Sequence, residues 1–154
     1  MSLENFVDVG NDNSLRLLGL DVGDRRIGVA VSDPTGCVAT PMEIYTRRTQ
    51  EADVTHIDAL CRDLEASAVV VGLPKNMNGS EGPQAEKTRE FADALADHGI
   101  RVWLWDERLS TVEATRRREG RGRRRKSRQE RLDAEAAAVI LETYLDHLRL
   151  KGKQ

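Results

Sequence analysis

Three acidic residues, far apart in the sequence, occupy positions where carboxylates could do chemistry together. Asp21 closes an apolar run typical of a strand, Glu107 ends a later such run, and Asp133 lies in the first turn of the last predicted helix. An ionised carboxylate in an apolar strand is costly to bury unless a counter-charge compensates it. Mg²⁺ prefers oxygen ligands and often completes its shell with substrate phosphate. If the acids converge, they predict a Mg²⁺ or Mn²⁺ site, in a two-metal arrangement suited to phosphodiester hydrolysis.

Each acid also has a structural explanation, which stays open at this point. Asp21 lies just before a glycine turn, where aspartate is common without any catalytic role. Glu107 could pair with Arg108 or Arg101, and Asp133 is favoured near a helix N-terminus by the helix dipole. The combination favours a functional site only if the fold brings the three together.

The elements that would position these acids follow the order β-β-β-α-β-α-β-α-α. The first three strands form a meander, and the later β-α-β-α-β portion implies parallel strands joined by right-handed crossovers. We therefore predict an α/β fold with a mixed five-stranded sheet, antiparallel over the first three strands and parallel in the remainder, and helices on both faces. The predicted strands are about Leu15–Val22, Arg26–Ser32, Cys37–Tyr45, Ala68–Leu73 and Arg101–Glu107. The predicted helices are about Gln50–Glu65, Pro83–Gly99, a short one from Ser110, and Gln129–Leu148.

The carboxyl ends of the strands are the expected meeting point of the acids, because ligands of open α/β sheets bind there. Asp133 shares a helix face with Ala136 and Ala137. Those small side chains would let that face approach the sheet closely. Convergence further requires the first and last strands of the β-α-β-α-β portion to lie near one another.

Composition predicts one domain over residues 15–150, preceded by a flexible extension at 1–14. The chain has 154 residues, 39% hydrophobic and 32% charged, and no apolar stretch near the ~20 residues of a membrane helix. The extension lacks the basic cluster and apolar core of a secretory signal, so we expect a cytoplasmic protein without membrane contact. Cys37 and Cys61 are too few for a disulfide framework, and we expect both to be buried as small apolar residues.

A basic segment stands out against an acidic remainder. Arg116–Arg131, termed the basic arm below, holds ten of the 24 basic residues and two of the 26 acidic ones, which gives it a net charge of +8 against −10 elsewhere. Such a segment predicts contact with a polyanion, although a solvated charge run is the common alternative. Arginine binds phosphate without reading sequence. The substrate-binding candidates here are Arg123, Arg124, Arg125 and Lys126.

A loop at residues 74–82, between a predicted strand and a predicted helix, offers further contacts. Lys75 could bind phosphate, and Asn76 or Asn78 could bind sugar or base. The alternative is that the asparagines and glycines of loop 74–82 only shape its turns. Arg26 and Arg108 each could bind phosphate, orient an acid or form a structural ion pair.

Four segments around these residues resemble the motifs of the RuvX/YqgF family, over about residues 16–148. The resemblance implies an RNase H-like fold, a metal-dependent nuclease with Asp21, Glu107 and Asp133 as its catalytic acids, and a role in maturing the 5′ end of 16S rRNA. The arginine–glycine character of residues 120–128 departs from the family pattern. The four segments are GLDVGDRRIGVA at 19–30, VGLPKNMNGS at 71–80, DERLST with the following Glu113-Ala114, and D-x-x-AA-x-x-IL-x-x-YL at 133–145.

The resemblance implies pre-16S rRNA and ribosomal precursor particles as partners, and a monomer and a homodimer both stay open. Three alternatives remain at the level of sequence. A Holliday-junction-type DNA resolvase would use the same acids, whereas a non-catalytic, RNA-binding ribosome-assembly factor would need none of them. An actin-like ATPase also has Asp-x-Gly after a strand, but this chain lacks the second such domain that would close over ATP.

Overall fold

The computed structural model describes residues 16–109 and 128–152, and in the second segment it describes side chains from residue 134 to 151. The strands are β1 (Leu17–Val22), β2 (Arg26–Ser32), β3 (Ala39–Thr46), β4 (Ala68–Leu73) and β5 (Val102–Asp106). The helices are α1 (Gln50–Leu64), α2 (Pro83–Asp97) and α3 (Arg128–Gly152), with a 3₁₀ turn at Glu107–Leu109 after β5.

The five strands form one mixed sheet in the order β3-β2-β1-β4-β5. β1, β2 and β3 pair antiparallel, whereas β4 pairs parallel with both β1 and β5. α1 and α2 cover one face, over a core that includes Leu18, Leu20 and Val71. α3 covers the other face, over Leu17, Val70 and their neighbours. The predicted mixed sheet with helices on both faces is confirmed.

α3 approaches the sheet closely because a glycine lies beneath it. A Cβ on Gly19 of β1 would lie 2.7 Å from Leu141 Cβ and 2.9 Å from the Ala137 carbonyl oxygen. Toward β5, the Trp105 indole N–H donates to Thr143 Oγ1 at 2.9 Å, and the Trp105 ring meets Tyr144 edge-on. These contacts hold α3 against β1 and β5.

A buried ion pair supports the turn that follows Asp21. Arg47 Nε lies 3.0 Å from the carboxylate of Asp53, which is completely buried, and Arg47 Nη1 donates to the Gly23 carbonyl at 2.9 Å. Burial opposes ionisation of Asp53, but hydrogen bonds from the Arg48 N–H, Arg47 and Tyr45 outweigh it and hold the pKa of Asp53 below its ordinary value. The pair therefore ties the β1–β2 turn to the start of α1.

Some expectations differ from the structure or lie outside the part it describes. Cys61 is half-buried but Cys37 is exposed, so the prediction of two buried cysteines is wrong for Cys37. Cys37 lies in the β2–β3 turn, where Asp33 accepts its backbone N–H and little of the chain is available to cover it. The extension at 1–14 and the helix predicted from Ser110 lie outside the described residues. Within those residues, the model contains no helix with the length and apolar character needed to span a membrane.

Candidate active site

Asp21 and Glu107 come together at the carboxyl ends of β1 and β5, although β4 runs between those strands. Side chains alternate along a strand, so Asp21 lies on the same sheet face as Leu17 and Gly19, the face covered by α3. Glu107 directly follows β5. The two carboxyl groups are in hydrogen-bond contact. The predicted meeting of these two acids is therefore present in the structure.

Glycine makes this contact across β4 feasible. Gly72 pairs with Trp105, two residues before Glu107, and a Cβ on Gly72 would lie 2.8 Å from Glu107 Oε1. On the other side of Asp21, the paired residue of β2 is Gly28. The surface beneath the two carboxylates is thus open backbone, with room for an acid side chain to reach across.

The environment of Glu107 works against its charge. Burial raises the pKa of Glu107, the nearby charge of Asp106 raises it further, and the hydrogen bond with Asp21 acts in the opposite direction. Two adjacent carboxylates cannot both ionise readily unless a positive charge joins them. The pair therefore has the electrostatic character of a cation site.

Asp133 lies on α3, and its side chain is outside the described residues. Near the C-terminal end of α3, Arg149 donates to the Cys37 carbonyl, two residues before β3 begins. The start of β3 lies at the end of the sheet where β1 also begins, which is opposite the carboxyl end of β1. The N-terminal end of α3 therefore lies toward the edge that carries Asp21. Asp133 precedes Ala137 by four residues and shares its helix face. Among the side chains that the structure describes, no group of three His, Cys, Asp or Glu forms a metal cluster, so the third acid remains a prediction.

Loop 74–82 is ordered by its own side chains. Asn76 Nδ2 donates to Ser80 Oγ at 2.9 Å, and Asn78 Oδ1 accepts the backbone N–H of Ser80 at 3.0 Å. Gly79 has φ +89°, a conformation that suits glycine. Asn76 and Asn78 thus shape the loop in this structure, and their contact with substrate stays a prediction.

Three of the remaining predicted site residues, Arg26, Lys75 and Arg108, fall around the same end of the sheet. Arg26 begins β2, two residues from Gly28, on the face of Asp21. Two nitrogens of the Arg108 guanidinium bind the Asp106 carboxylate. These hydrogen bonds lower the pKa of Asp106 below its ordinary value although partial burial acts to raise it, and the charge of Lys75 lowers it further. Lys75 is therefore close to the acidic edge. Arg123, Arg124, Arg125 and Lys126 lie outside the described residues.

Gly72 is the residue beside the candidate site that the sequence prediction misses. In the sequence it is only one residue of a predicted strand and of the segment VGLPKNMNGS. An isolated glycine among the valines of a strand is itself a signal of close backbone or side-chain approach. Read that way, the segment Val69–Leu73 would have indicated that something crosses β4 at this point.

Comparison with known proteins identifies the family. A profile of the family described as "RuvX: Holliday junction resolvase" matches residues 15–147. The chain belongs to the RuvX family. A relative from Clostridium botulinum, named "Putative pre-16S rRNA nuclease", is 45% identical over 135 residues, 87% of this chain and 98% of the relative. A relative of the same name from Halothermothrix orenii is 48% identical over 134 residues, 86% of this chain and 96% of the relative.

The fold resembles that of the RuvC resolvase. The structure of Thermus thermophilus RuvC in complex with a Holliday junction substrate superposes with a TM-score of 0.62 at 17% identity, covering 89% of this chain and 96% of RuvC. A separate Thermus thermophilus RuvC structure gives a TM-score of 0.56 at 16% identity. The predicted family, the RNase H-like class of fold and the nuclease class of enzyme are thereby confirmed.

Proposed function

We propose that this RuvX protein is a metal-dependent nuclease of structured nucleic acid that processes the 5′ end of pre-16S rRNA in the cytoplasm. The observation that carries the proposal is the contact between the Asp21 and Glu107 carboxyl groups, beside Gly72. The names of the relatives supply the substrate, since the C. botulinum and H. orenii proteins are both named for pre-16S rRNA.

The residues at this edge fit a hard divalent cation. Asp21 and Glu107 offer carboxylate oxygens, the ligands that Mg²⁺ and Mn²⁺ prefer. The buried Glu107 carboxyl group has a raised pKa, and a bound cation would compensate its negative charge. We propose Asp133, four residues before the buried Ala137 on α3, as the third ligand. When bound, the cation would lower the pKa of a water molecule and neutralise charge on the scissile phosphate.

The protein's own part in the reaction is to hold and place the substrate. The carboxyl groups of Asp21 and Glu107 would hold the cation, and the absence of a side chain at Gly72 leaves space beside Glu107. In this proposal Lys75, near Asp106, and Arg26, at the start of β2, attract backbone phosphates toward the carboxylates. In this proposal the basic arm binds phosphates further along the nucleic acid, which makes affinity strongly salt-dependent.

Branched DNA is the second candidate substrate. The matching family is described as a Holliday junction resolvase, and an arginine-rich arm that binds phosphate does not by itself distinguish RNA from DNA. The same catalytic edge would serve either substrate, so direct comparison of the two must decide.

Cleavage assays on two substrates test the proposal. A 5′-extended 16S rRNA precursor and a four-way DNA junction are incubated with Mn²⁺ or with EDTA, using the wild type, Asp21→Asn and Asp24→Asn. Asp24 is a matched control, because it is an exposed acid three residues away that pairs with Lys87. We expect Mn²⁺-dependent cleavage of the precursor by the wild type and Asp24→Asn, and background levels with Asp21→Asn.

Other outcomes separate the alternatives. Undiminished cleavage by Asp21→Asn would reject the site. Preferential cleavage of the junction would identify a DNA resolvase. Absence of cleavage by any variant, together with normal RNA binding and normal ribosome assembly when Asp21→Asn replaces the wild type, would identify a non-catalytic assembly factor.

A further inference from the structure

Arg108 was one of the sequence candidates for substrate binding, but its guanidinium is already engaged. Its Nε lies 3.1 Å from both carboxylate oxygens of Asp106, and its Nη2 lies 2.7 Å from Oδ2. Its Nη1 donates to the Met77 carbonyl at 3.3 Å. All three guanidinium nitrogens thus have partners within the protein, and a phosphate could take the fork only by displacing Asp106.

The two partners of Arg108 lie on different elements. Asp106 is the last residue of β5, and Met77 lies near the middle of loop 74–82. The backbone N–H of Arg108 also donates to Asp106 Oδ1 at 2.9 Å, so residues 106 and 108 close a ring around the backbone of Glu107. Arg108 therefore joins loop 74–82 to the turn that carries Glu107.

Loop 74–82 is built to receive this contact. A Cβ on Gly79 would lie 3.7 Å from Arg108 Nη1, so the loop backbone packs close to the guanidinium. Within the loop, the Gly79 N–H donates to the Asn76 carbonyl and the Asn76 N–H donates to the Ser80 carbonyl, both at 2.8 Å. Because these bonds hold the loop together, anchoring Met77 anchors the loop, including Lys75, as a unit.

We propose that Arg108 is a positioning residue, which clasps loop 74–82 onto the turn carrying Glu107, and that it does not bind substrate phosphate. The inference rests on the proposed nuclease function for its kinetic test alone. Loss of the clasp misplaces Glu107 and Lys75 relative to each other. Displacements of this kind reduce turnover by a factor on the order of 10 to 100, because catalysis depends on position at the scale of ~1 Å.

The test compares turnover with salt-dependent binding in three variants. Arg108→Lys keeps the positive charge but cannot form the fork with Asp106 and reach Met77 together, and Arg108→Gln loses the charge. Asp106→Ala breaks the clasp from the other side and frees the guanidinium. Arg62→Gln, which breaks an exposed arginine–aspartate pair on α1, is the matched control. Lys75→Gln serves as the comparison for loss of a phosphate contact.

Binding of a fluorescently labelled precursor is measured by anisotropy in EDTA over a range of salt concentrations, and cleavage is measured with Mn²⁺. We expect kcat to fall in all three clasp variants, with the slope of log affinity against log salt unchanged in Arg108→Lys and Arg108→Gln, and Arg62→Gln to match the wild type. If Arg108 instead binds substrate phosphate, a different pattern is expected. The slope would fall by about 0.7 to 0.9 in Arg108→Gln, and Arg108→Lys would retain kcat. That pattern would overturn the proposal.

A further measurement, which needs neither substrate binding nor cleavage, keeps the proposal testable if a variant folds poorly or the wild type does not cleave. Hydrogen exchange at the amides of Asn76 and Gly79 is expected to accelerate in Asp106→Ala and Arg108→Lys but not in Arg62→Gln. Unchanged exchange at both amides in folded variants would overturn the clasp. If the wild type fails to cleave while these amides respond as expected, the nuclease proposal fails and the clasp stands.

Discussion

Gly72→Ala is the substitution whose consequences can be worked out most fully from the structure. The new Cβ would lie 2.5 Å from Ile140 Cδ1, 2.8 Å from Glu107 Oε1 and 3.0 Å from Glu107 Cγ. Ordinary contacts are about 3.5–4.0 Å, so the Glu107 side chain must retreat by roughly 0.7 Å or more. The end of Ile140 can rotate aside, whereas any retreat of the buried Glu107 side chain moves its carboxyl group relative to Asp21, its hydrogen-bond partner.

Two magnitudes follow from that geometry. Overpacking costs about 1–3 kcal/mol, and the smaller backbone entropy loss of alanine offsets about 0.5–1 kcal/mol of this. The net loss of up to about 2.5 kcal/mol corresponds to a fall in Tm of at most roughly 10 °C for a chain of this size. Displacement of Glu107 by most of an ångström reduces kcat on the order of 100-fold.

The assay is thermal unfolding alongside cleavage, with two controls. Ile140→Val removes Cδ1, so in that background Gly72→Ala should destabilise less while kcat stays low. Gly99→Ala places a side chain at φ +100° with no atom within 4 Å, which strains the backbone by about 1–3 kcal/mol without touching Glu107. It should keep wild-type kcat at temperatures where it is folded. Wild-type kcat in folded Gly72→Ala would refute the reasoning.

Two further predictions concern pH and stability. Because burial raises the pKa of Glu107 above its ordinary 4.5, ionisation penalises the folded state as pH rises through the folded-state value. Glu107→Gln should therefore raise Tm relative to the wild type by more at pH 7 than at pH 4, and an equal rise at both pH values would contradict this. The pKa of Asp53 is lowered from 3.8, so its contribution is present above that value and is lost as pH falls through the folded-state pKa. In Asp53→Asn, the free energy of unfolding should therefore fall less steeply as pH is lowered into the acidic range. A fall as steep as that of the wild type would contradict the ion-pair assignment.

Much of the fold could be predicted because local pattern and tertiary packing agree. β2 and the start of α1 lie where alternation and helical periodicity place them, at Arg26 and Gln50. Some strand ends differ from the predicted ones by one or two residues. β3 begins at Ala39 instead of Cys37, because the backbone N–H groups of Cys37 and Val38 donate to Asp33 and so belong to the preceding turn.

Strand order could not be predicted in the same way. The sequence argument required the first and last strands of the β-α-β-α-β portion, β3 and β5, to lie near each other, and this was wrong because they are the two edge strands of the sheet. The acids converge from β1 and β5 instead, with β4 between them. Their acids meet only because Gly72 leaves β4 bare at the crossing point. Pairing order depends on contacts between residues distant along the chain, which a local pattern does not record. The engagement of Arg108 by Asp106 and Met77 is of the same kind.

The central claim is that Asp21, Glu107 and Asp133 form one cation site, and anomalous X-ray scattering from Mn²⁺-soaked crystals of the protein tests it most directly. The account predicts a manganese peak bridging the Asp21 and Glu107 carboxylates, with Asp133 as a further ligand. A saturating soak with no peak between those two carboxylates, or with Asp133 turned away from the bound ion, would contradict it.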